Sequence, residues 1–348
     1  MKSRSQCFVH AFGLACLSMT FFACGAQENS DGFPILTGEY LGQTPPGDTA
    51  ELFAPGIVST GLYTRDVAMT PDGDEIYFGV LVAGLAAIME TKLVDGHWTK
   101  PEVAPFSRNS DYLNLEPHIS PDGEHLYFLS TRPPEGVELA EEEVRAWAHQ
   151  NIWAMDRVDG GWGEPYNPGP SINTDAAEYF PSVTRDGTMY FTRGEEGGQG
   201  SYIYRSRLVD GQYTEAERLG PNVNSTTSQY NAFIAPDESY IIVCSSLHED
   251  GLGGDDYFIV FRDEDDSWST PINMGDRVNT PRRGEFSPYV SPDGKYFFFM
   301  AARTGPAEPL PALIDADYLQ GLHAGPQNGD VNIYWMDASF IEELRPGS

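Results

Sequence analysis

Four carboxylates and two amides stand at matching places along this chain, and their spacing is the first hint of chemistry. Turn triplets read Pro-Asp-Gly at 71–73, 121–123 and 292–294, with the variants Arg185-Asp186-Gly187 and Pro236-Asp237-Glu238. Counted back from the first residue of each triplet, the fifth position holds Asp66, Glu116, Phe180, Asn231 and Ser287. The seventh holds Thr64, Asn114, Glu178, Gln229 and Glu285. Positions two apart on a strand share a side, so Asp66, Glu116, Glu178 and Glu285, with Gln229 and Asn231, are expected to converge in one polar ring. Converging carboxylates repel, which raises a pKa or recruits a cation such as Ca2+. Two such acids beside an open pocket would also suit glycoside cleavage, one as proton donor and one as base. The plainer expectation is a solvated rim whose acids hold water or cap a loop.

Other candidates support the ring. Arg132, Arg193 and Arg303 end apolar runs near it, where they could pair with its acids or clamp a ligand carboxylate; structural pairing is the expectation. His118 is expected at the core or rim, and His248 and His323 on exposed loops. These histidines lack metal-type spacing, so a zinc site is not expected. Residues 250–256 resemble a calcium loop only loosely, and Asp256 is expected to cap the following strand.

The elements that would carry these residues repeat. The triplets begin at 71, 121, 185, 236 and 292, a period that points to a repeat architecture. Pro presets the first central turn residue, Asp closes the turn and Gly takes the left-handed position. Runs rich in β-branched and aromatic residues on both sides make each unit a hairpin. A third strand follows at 87–93, 152–155, 202–206, 257–261 and 331–335, then a turn with an aromatic just after it, as in Asp95-Gly96-His97-Trp98 and Asp159-Gly160-Gly161-Trp162. A fourth strand ends near Pro101, Pro165, Arg218 or Ile272. Four antiparallel strands per period make a propeller blade, so the fold class is all-β: a β-propeller of five four-stranded blades. Residues 50–56 resemble the fourth-strand endings, so an N-terminal strand is expected to close the last blade and remove the open edges. The alternative is that 338–345 form that strand, leaving the N-terminal piece unpaired or in a degenerate sixth blade.

The Pro-Asp-Gly hairpin with its Tyr-Phe and third strand resembles the WD40-like β-propeller repeat of the TolB type, over roughly residues 49 to 345. The resemblance implies a scaffold and is nearly silent on activity. TolB itself serves a periplasmic protein complex. Propellers of prolyl-oligopeptidase relatives filter substrates for a hydrolase domain, but this sequence has no Gly-x-Ser-x-Gly elbow, which excludes that reading. Five-bladed arabinanases draw three carboxylates from successive blades, as Asp66, Glu116 and Glu178 are distributed, though their sequence motifs are absent. Oligogalacturonate lyases need convergent histidines and a metal, and the histidines here do not line up.

The N-terminus reads as a targeting segment. Lys2 and Arg4 precede an apolar run from Phe8 to Phe22 ending at Ala23-Cys24-Gly25, the pattern of a signal peptide at 1–23 with a lipidated Cys24. Residues 24–48 then form a lipid-anchored tether and 49–348 a single propeller domain. Cleavage after Ala26 would instead release a soluble secreted protein. Lipidation of Cys24 leaves Cys244 as the one other cysteine outside the leader, expected as a buried, inert thiol. A formal charge of −31 argues against nucleic acid or anionic lipid as partners. Irregular length concentrates in the connections between second and third strands, at 133–150 (with a short helix expected over 138–147), 194–200, 247–255 and 304–329. Loops this long in a compact fold are usually functional or disordered, and their face is the expected binding face. The expected protein is a monomeric, non-catalytic binder of the cell envelope, facing periplasm or cell surface and recognising a protein or oligosaccharide. It requires no cofactor, with Ca2+ at the acidic ring as an option. The alternative is a carbohydrate-active enzyme, glycosidase or lyase, using the carboxylate ring.

Overall fold

Each Pro-Asp-Gly turn closes as its chemistry dictates. Gly73, Gly123, Gly187 and Gly294 take φ of 70°, 76°, 85° and 74°, where a side chain would be strained. The turn Asp caps its own hairpin: Asp122 accepts from the Ser120 hydroxyl at 2.5 Å and from Glu124 N–H at 3.0 Å. The computed structural model describes residues 32–138, 140, 143–195, 198, 200–281, 284–304 and 313–347. The leader and Cys24 therefore lie outside the described residues. From Leu36 on, the described residues form one compact unit.

Five antiparallel sheets form five blades. Blade 1 runs Tyr63–Met69, Glu75–Val82, Leu85–Val94 and Glu102–Val103, and blade 2 runs Asn114–Ile119, His125–Ser130, Asn151–Val158 and Gly161–Trp162. Blade 3 runs Glu178–Val183, Met189–Gly194, Ser201–Ser206 and Glu217–Arg218; blade 4 runs Gln229–Ile234, Tyr240–Ser246, Asp255–Phe261 and Ile272–Asn273. Blade 5 combines Phe286–Val290, Tyr296–Thr304 and Asn328–Asp337 with the N-terminal Glu51–Leu52. There Glu51 lies opposite Trp335, Leu52 lies opposite Tyr334, and Phe53 N–H reaches Ile333 O at 2.9 Å. Phe53 is fully buried, edge-on to Phe298 at 5.1 Å. The chain after Asp337 turns into a short helix, Phe340–Glu343, that buries Phe340 and Ile341. The ring thus closes with the N-terminal strand, and the alternative fourth strand at 338–345 does not form.

Two features depart from the sequence expectation. Residues 36–48, read as tether, lie against the ring: Tyr40 is buried, with its ring 5.1 Å from Tyr296 and 5.3 Å from Trp335, and Gly47 O accepts from Asp337 N–H at 2.8 Å. The expected helix over 138–147 is replaced, in its described residues, by a turn at 143–145 and a 3-10 helix at Trp147–His149. The 304–329 connection carries a helix, Ala316–Ala324, started by Asp315 accepting from Tyr318 N–H at 2.8 Å.

Blades are tied to their neighbours by a repeated buried clamp. Asn173, Asn224 and Asn279 each accept from and donate to one backbone residue of the preceding blade's third strand: Ile152, Ile203 and Tyr257. Ser107 and Ser59 make single-bond versions to Ile88 and Ile333. Such bonds satisfy strand ends that would otherwise leave buried polar groups unpaired.

Candidate functional site

The five residues at the fifth position share one unusual backbone. Asp66, Glu116, Phe180, Asn231 and Ser287 have φ of 52°, 56°, 51°, 48° and 58°. In every blade the pairing register between first and second strands breaks at that point. This is a β-bulge repeated five times; the extra residue sits left-handed and re-aims its side chain. A left-handed non-glycine residue costs about 1–2 kcal/mol. Because the bulge interrupts the alternation, the fifth and seventh positions no longer share a side, and the expected single ring divides into two sets.

The fifth-position set meets at the ring axis around a residue the sequence reading passed over, Arg65. Its Nε lies 2.9 and 2.8 Å from the two Asp66 oxygens, and its Nη2 lies 2.6 Å from Glu116 Oε1 and 3.3 Å from Ser287 Oγ. Ser287 Oγ also donates to Asp66, and Asn231 Nδ2 donates to Ser287 Oγ at 3.1 Å. Asp66 Oδ2 accepts from Glu116 N–H at 3.2 Å, and Glu116 Oε2 accepts from Phe180 N–H at 2.8 Å. Asp66 and Glu116 are buried. Burial pushes the Glu116 carboxyl up to about 8, with Arg65 opposing and the Asp66 charge adding. Burial alone would lower Arg65, but Asp66 and Glu116 hold its pKa above the usual value. The positive charge between the two acids, the place where Ca2+ was an option, is therefore supplied by the chain itself. Among the described residues no three His, Cys, Asp or Glu side chains are grouped to hold a metal ion. Beneath this plug remains a void of about 10 Å³. Tyr230 and Phe286, at the sixth position like Arg65, pack with ring centres 6.1 Å apart, and Arg65 lies 5.9 Å from Phe286. Counting the sixth position as well as the fifth would have found them.

The seventh-position set stays within its own blades. Glu178 accepts from Thr174 N–H at 3.1 Å, from the Thr174 hydroxyl, and from Arg193 Nε at 2.8 Å. Gln229 bonds Thr226 and Ser245, and Glu285 accepts from the Thr280 hydroxyl. Each holds the connection that enters its blade, the loop-capping role. Burial raises the pKa of Glu178, and it raises Glu285 to about 7, where the Asp256 charge adds and Thr280 opposes. Asp256 accepts from Gly253 N–H at 3.0 Å, a loop cap.

The supporting residues divide in the same way. Arg193 pairs with Glu178 and lies over Tyr204 at 4.6 Å; Arg303 lies over Tyr334 at 4.7 Å and donates to Arg277 O. Arg132 lies between Tyr112 and Trp153 and touches neither Asp66 nor Glu116. His118 is buried and accepts from Val183 N–H through Nε2 at 2.9 Å; burial lowers its pKa to about 4, so it is neutral. Cys244 is a buried free thiol whose pKa burial raises.

The loop-rich side presents a groove of about 440 Å³ lined by Leu62, Val82, Leu85, Trp147, His323 and Asp330, among others. Leu62, Val82, Leu85 and Trp147 are all exposed large apolar side chains.

No known protein family matches the chain, and no curated protein resembles it in sequence. Solved structures similar to it include TolB from Acinetobacter baumannii, 17% identical over 79% of this chain and 57% of that one, with a TM-score of 0.42. The chain thus matches little more than half of that TolB. The native arabinanase of Bacillus subtilis is 13% identical over 80% of this chain and 96% of its own, TM-score 0.45. A glycoside hydrolase is 10% identical over 85% and 92%, TM-score 0.51. At these identities the likeness is one of fold.

Proposed function

We propose that the chain is a non-catalytic binding propeller of the bacterial cell envelope, anchored through a lipid on Cys24, which recognises a protein or a glycan with its loop-rich face. One observation carries this reading: the axial acids are engaged. Asp66 and Glu116 share one guanidinium and accept backbone N–H groups, whereas glycoside cleavage needs two carboxylates about 5–9.5 Å apart across an open pocket. The groove at Trp147 offers a ligand space off the axis on the loop-rich face, and exposed apolar side chains gathered in one concavity mark interaction sites.

The enzyme reading keeps one point in its favour: the raised Glu116 carboxyl has the character of a general acid. Incubation of the chain with arabino-oligosaccharides and other envelope glycans decides between the two. Saturable binding lost in Trp147→Ala, with no new reducing or unsaturated ends, supports the binding protein. Ends that appear with the wild type and vanish in Glu116→Gln refute it. Labelling of the exported chain by radioactive palmitate, abolished by Cys24→Ala, tests the anchor.

A further inference from the structure

Arg132 is the one of the three strand-end arginines whose guanidinium the chain leaves without an acceptor. Arg193 bonds Glu178 and Ile172 O, and Arg303 bonds Arg277 O. Arg132 stacks 5.4 Å from Tyr112 and 5.2 Å from Trp153, and its guanidinium forms no hydrogen bond or ion pair with any described residue. Burial pushes its pKa down, the response of a desolvated charge with too little compensation. Trp153, beneath it, is buried, and its indole N–H also lacks an acceptor among the described residues. Donors left unsatisfied in partly buried positions cost stability. In a chain of formal charge −31, a guanidinium held by stacking alone points to an acceptor that comes from outside.

Arg132 lines a groove of about 460 Å³ between blades 1 and 2, with Phe106 and Trp162 as its aromatic walls, Glu90, Asp159 and Glu164 as its acids, and Lys92, 3.4 Å from Glu90, as its second cation. That volume suits a small ligand or a few residues of peptide. The stacking holds the guanidinium fork, a geometry matched to a carboxylate. Asp159 and Glu164, the acids of the groove not paired with Lys92, disfavour a doubly charged phosphate and favour cationic groups on the rest of the ligand. With Lys92 taken up by Glu90 and Glu75, Arg132 and the acids Asp159 and Glu164 along one groove complement a basic polypeptide end: a single terminal carboxylate, with Lys or Arg side chains behind it. We propose that this groove binds the C-terminus of a basic partner polypeptide, its carboxylate on Arg132 and its cationic side chains on Asp159 and Glu164. The site is separate from the loop-face groove at Trp147.

The test compares a pool of acetylated tetrapeptides, Lys or Arg at the inner positions and apolar or aromatic residues at the last, with the same pool amidated at the C-terminus. Binding to the full chain is followed by calorimetry. The free acids are expected to bind at least tenfold more tightly than the amides. Arg132→Met is expected to remove that difference, Arg132→Lys to keep part of it, and Trp147→Ala to leave it intact, which separates this site from the loop-face reading. Circular dichroism of each variant establishes folding, and Arg132→Lys carries the test should Arg132→Met unfold. Equal affinity for acid and amide, no binding of either pool, or a difference that persists in Arg132→Met overturns the proposal. Displacement of the peptides by equimolar inorganic phosphate overturns it too, in favour of a phosphate site.

Discussion

Replacing Arg65 by Met isolates the plug as the element that makes the axis structural. The substitution keeps most of the stem volume and removes four contacts, at 2.9 and 2.8 Å to Asp66, 2.6 Å to Glu116 and 3.3 Å to Ser287. It leaves two buried carboxylates facing each other. Removing one partner of a buried ion pair costs about 3–5 kcal/mol, and at about 2 °C per kcal/mol for a large domain this lowers Tm by roughly 6–10 °C. The loss should depend on pH in a defined direction. A protonated carboxyl needs no cation, so acid relieves the variant more than the wild type. Each pH unit over which the folded variant binds one more proton than the folded wild type returns about 1.4 kcal/mol. Denaturant unfolding at pH 8, 6.5 and 5, followed by tryptophan fluorescence and circular dichroism, should show the deficit shrinking by at least about 1.4 kcal/mol towards pH 5. Introduced into an Asp66→Asn/Glu116→Gln background, Arg65→Met should cost far less, because the charges it left stranded are gone. A deficit below about 1 kcal/mol at pH 8, or one indifferent to pH, refutes the reasoning: Arg65 would then be a solvated rim cation of the kind whose pairs contribute little.

Three further outcomes follow from the same geometry. Glu116 and Glu285, raised from 4.5 to about 8 and about 7, contribute stability that is complete below 4.5 and lost as pH rises through those values; His118, lowered from 6.5 to about 4, contributes stability that is complete above 6.5 and lost as pH falls towards 4. Above pH 4.5 two carboxyls lose stability while one imidazole gains it, so unfolding free energy should fall from about pH 4.5 to 8, and His118→Gln, which keeps an acceptor for Val183 N–H, should steepen the fall between about pH 4.5 and 6.5; an unchanged slope there counts against the assignment. Phe53→Ala should cost about 3–5 kcal/mol by emptying the ring closure, measured by the same unfolding, with a cost under 1 kcal/mol showing the N-terminal strand to be dispensable. Asn224→Ala should cost about 1–3 kcal/mol by stranding the Ile203 N–H and C=O, with faster hydrogen exchange at Ile203 as the local readout.

What was legible in the sequence is what repeats as residue type. Turn triplets and flanking apolar runs gave the hairpins, and the likeness of 50–56 to the fourth-strand endings placed Glu51–Leu52 on Trp335 and Tyr334. The blade clamps were also written there, as Ile172-Asn173-Thr174, Val223-Asn224 and Val278-Asn279-Thr280. They lay in connections where no periodicity drew attention to them. The bulges were not legible, because no residue type marks them: Asp, Glu, Phe, Asn and Ser all take the left-handed position here. A pattern argument assumes alternation, and one extra residue per strand defeats it. Arg65 was missed for the same reason, since alternation assigns the sixth position to the opposite side.

The bulges also explain why this axis looks like an active site in one dimension. Five left-handed residues would together cost several kcal/mol, and each bulge frees backbone N–H groups near the axis. A side chain of the preceding blade takes up several of them: Asp66 for Glu116, Glu116 for Phe180, Thr192 for Asn231, His118 for Val183, Ser182 for Ile234 and Tyr289 for Met69. Acceptors are what this joint between blades requires, and Asp, Glu, Thr, His, Ser and Tyr side chains supply them here. The same residue types, set around the same centre, are what catalysis at a propeller axis would require. The backbone separates the two cases. An acid that already holds a neighbouring blade's N–H and a guanidinium is committed to the scaffold rather than aimed into an open pocket. In this ring the guanidinium that the described residues leave without an acceptor, Arg132, lies off the axis in the groove between blades 1 and 2.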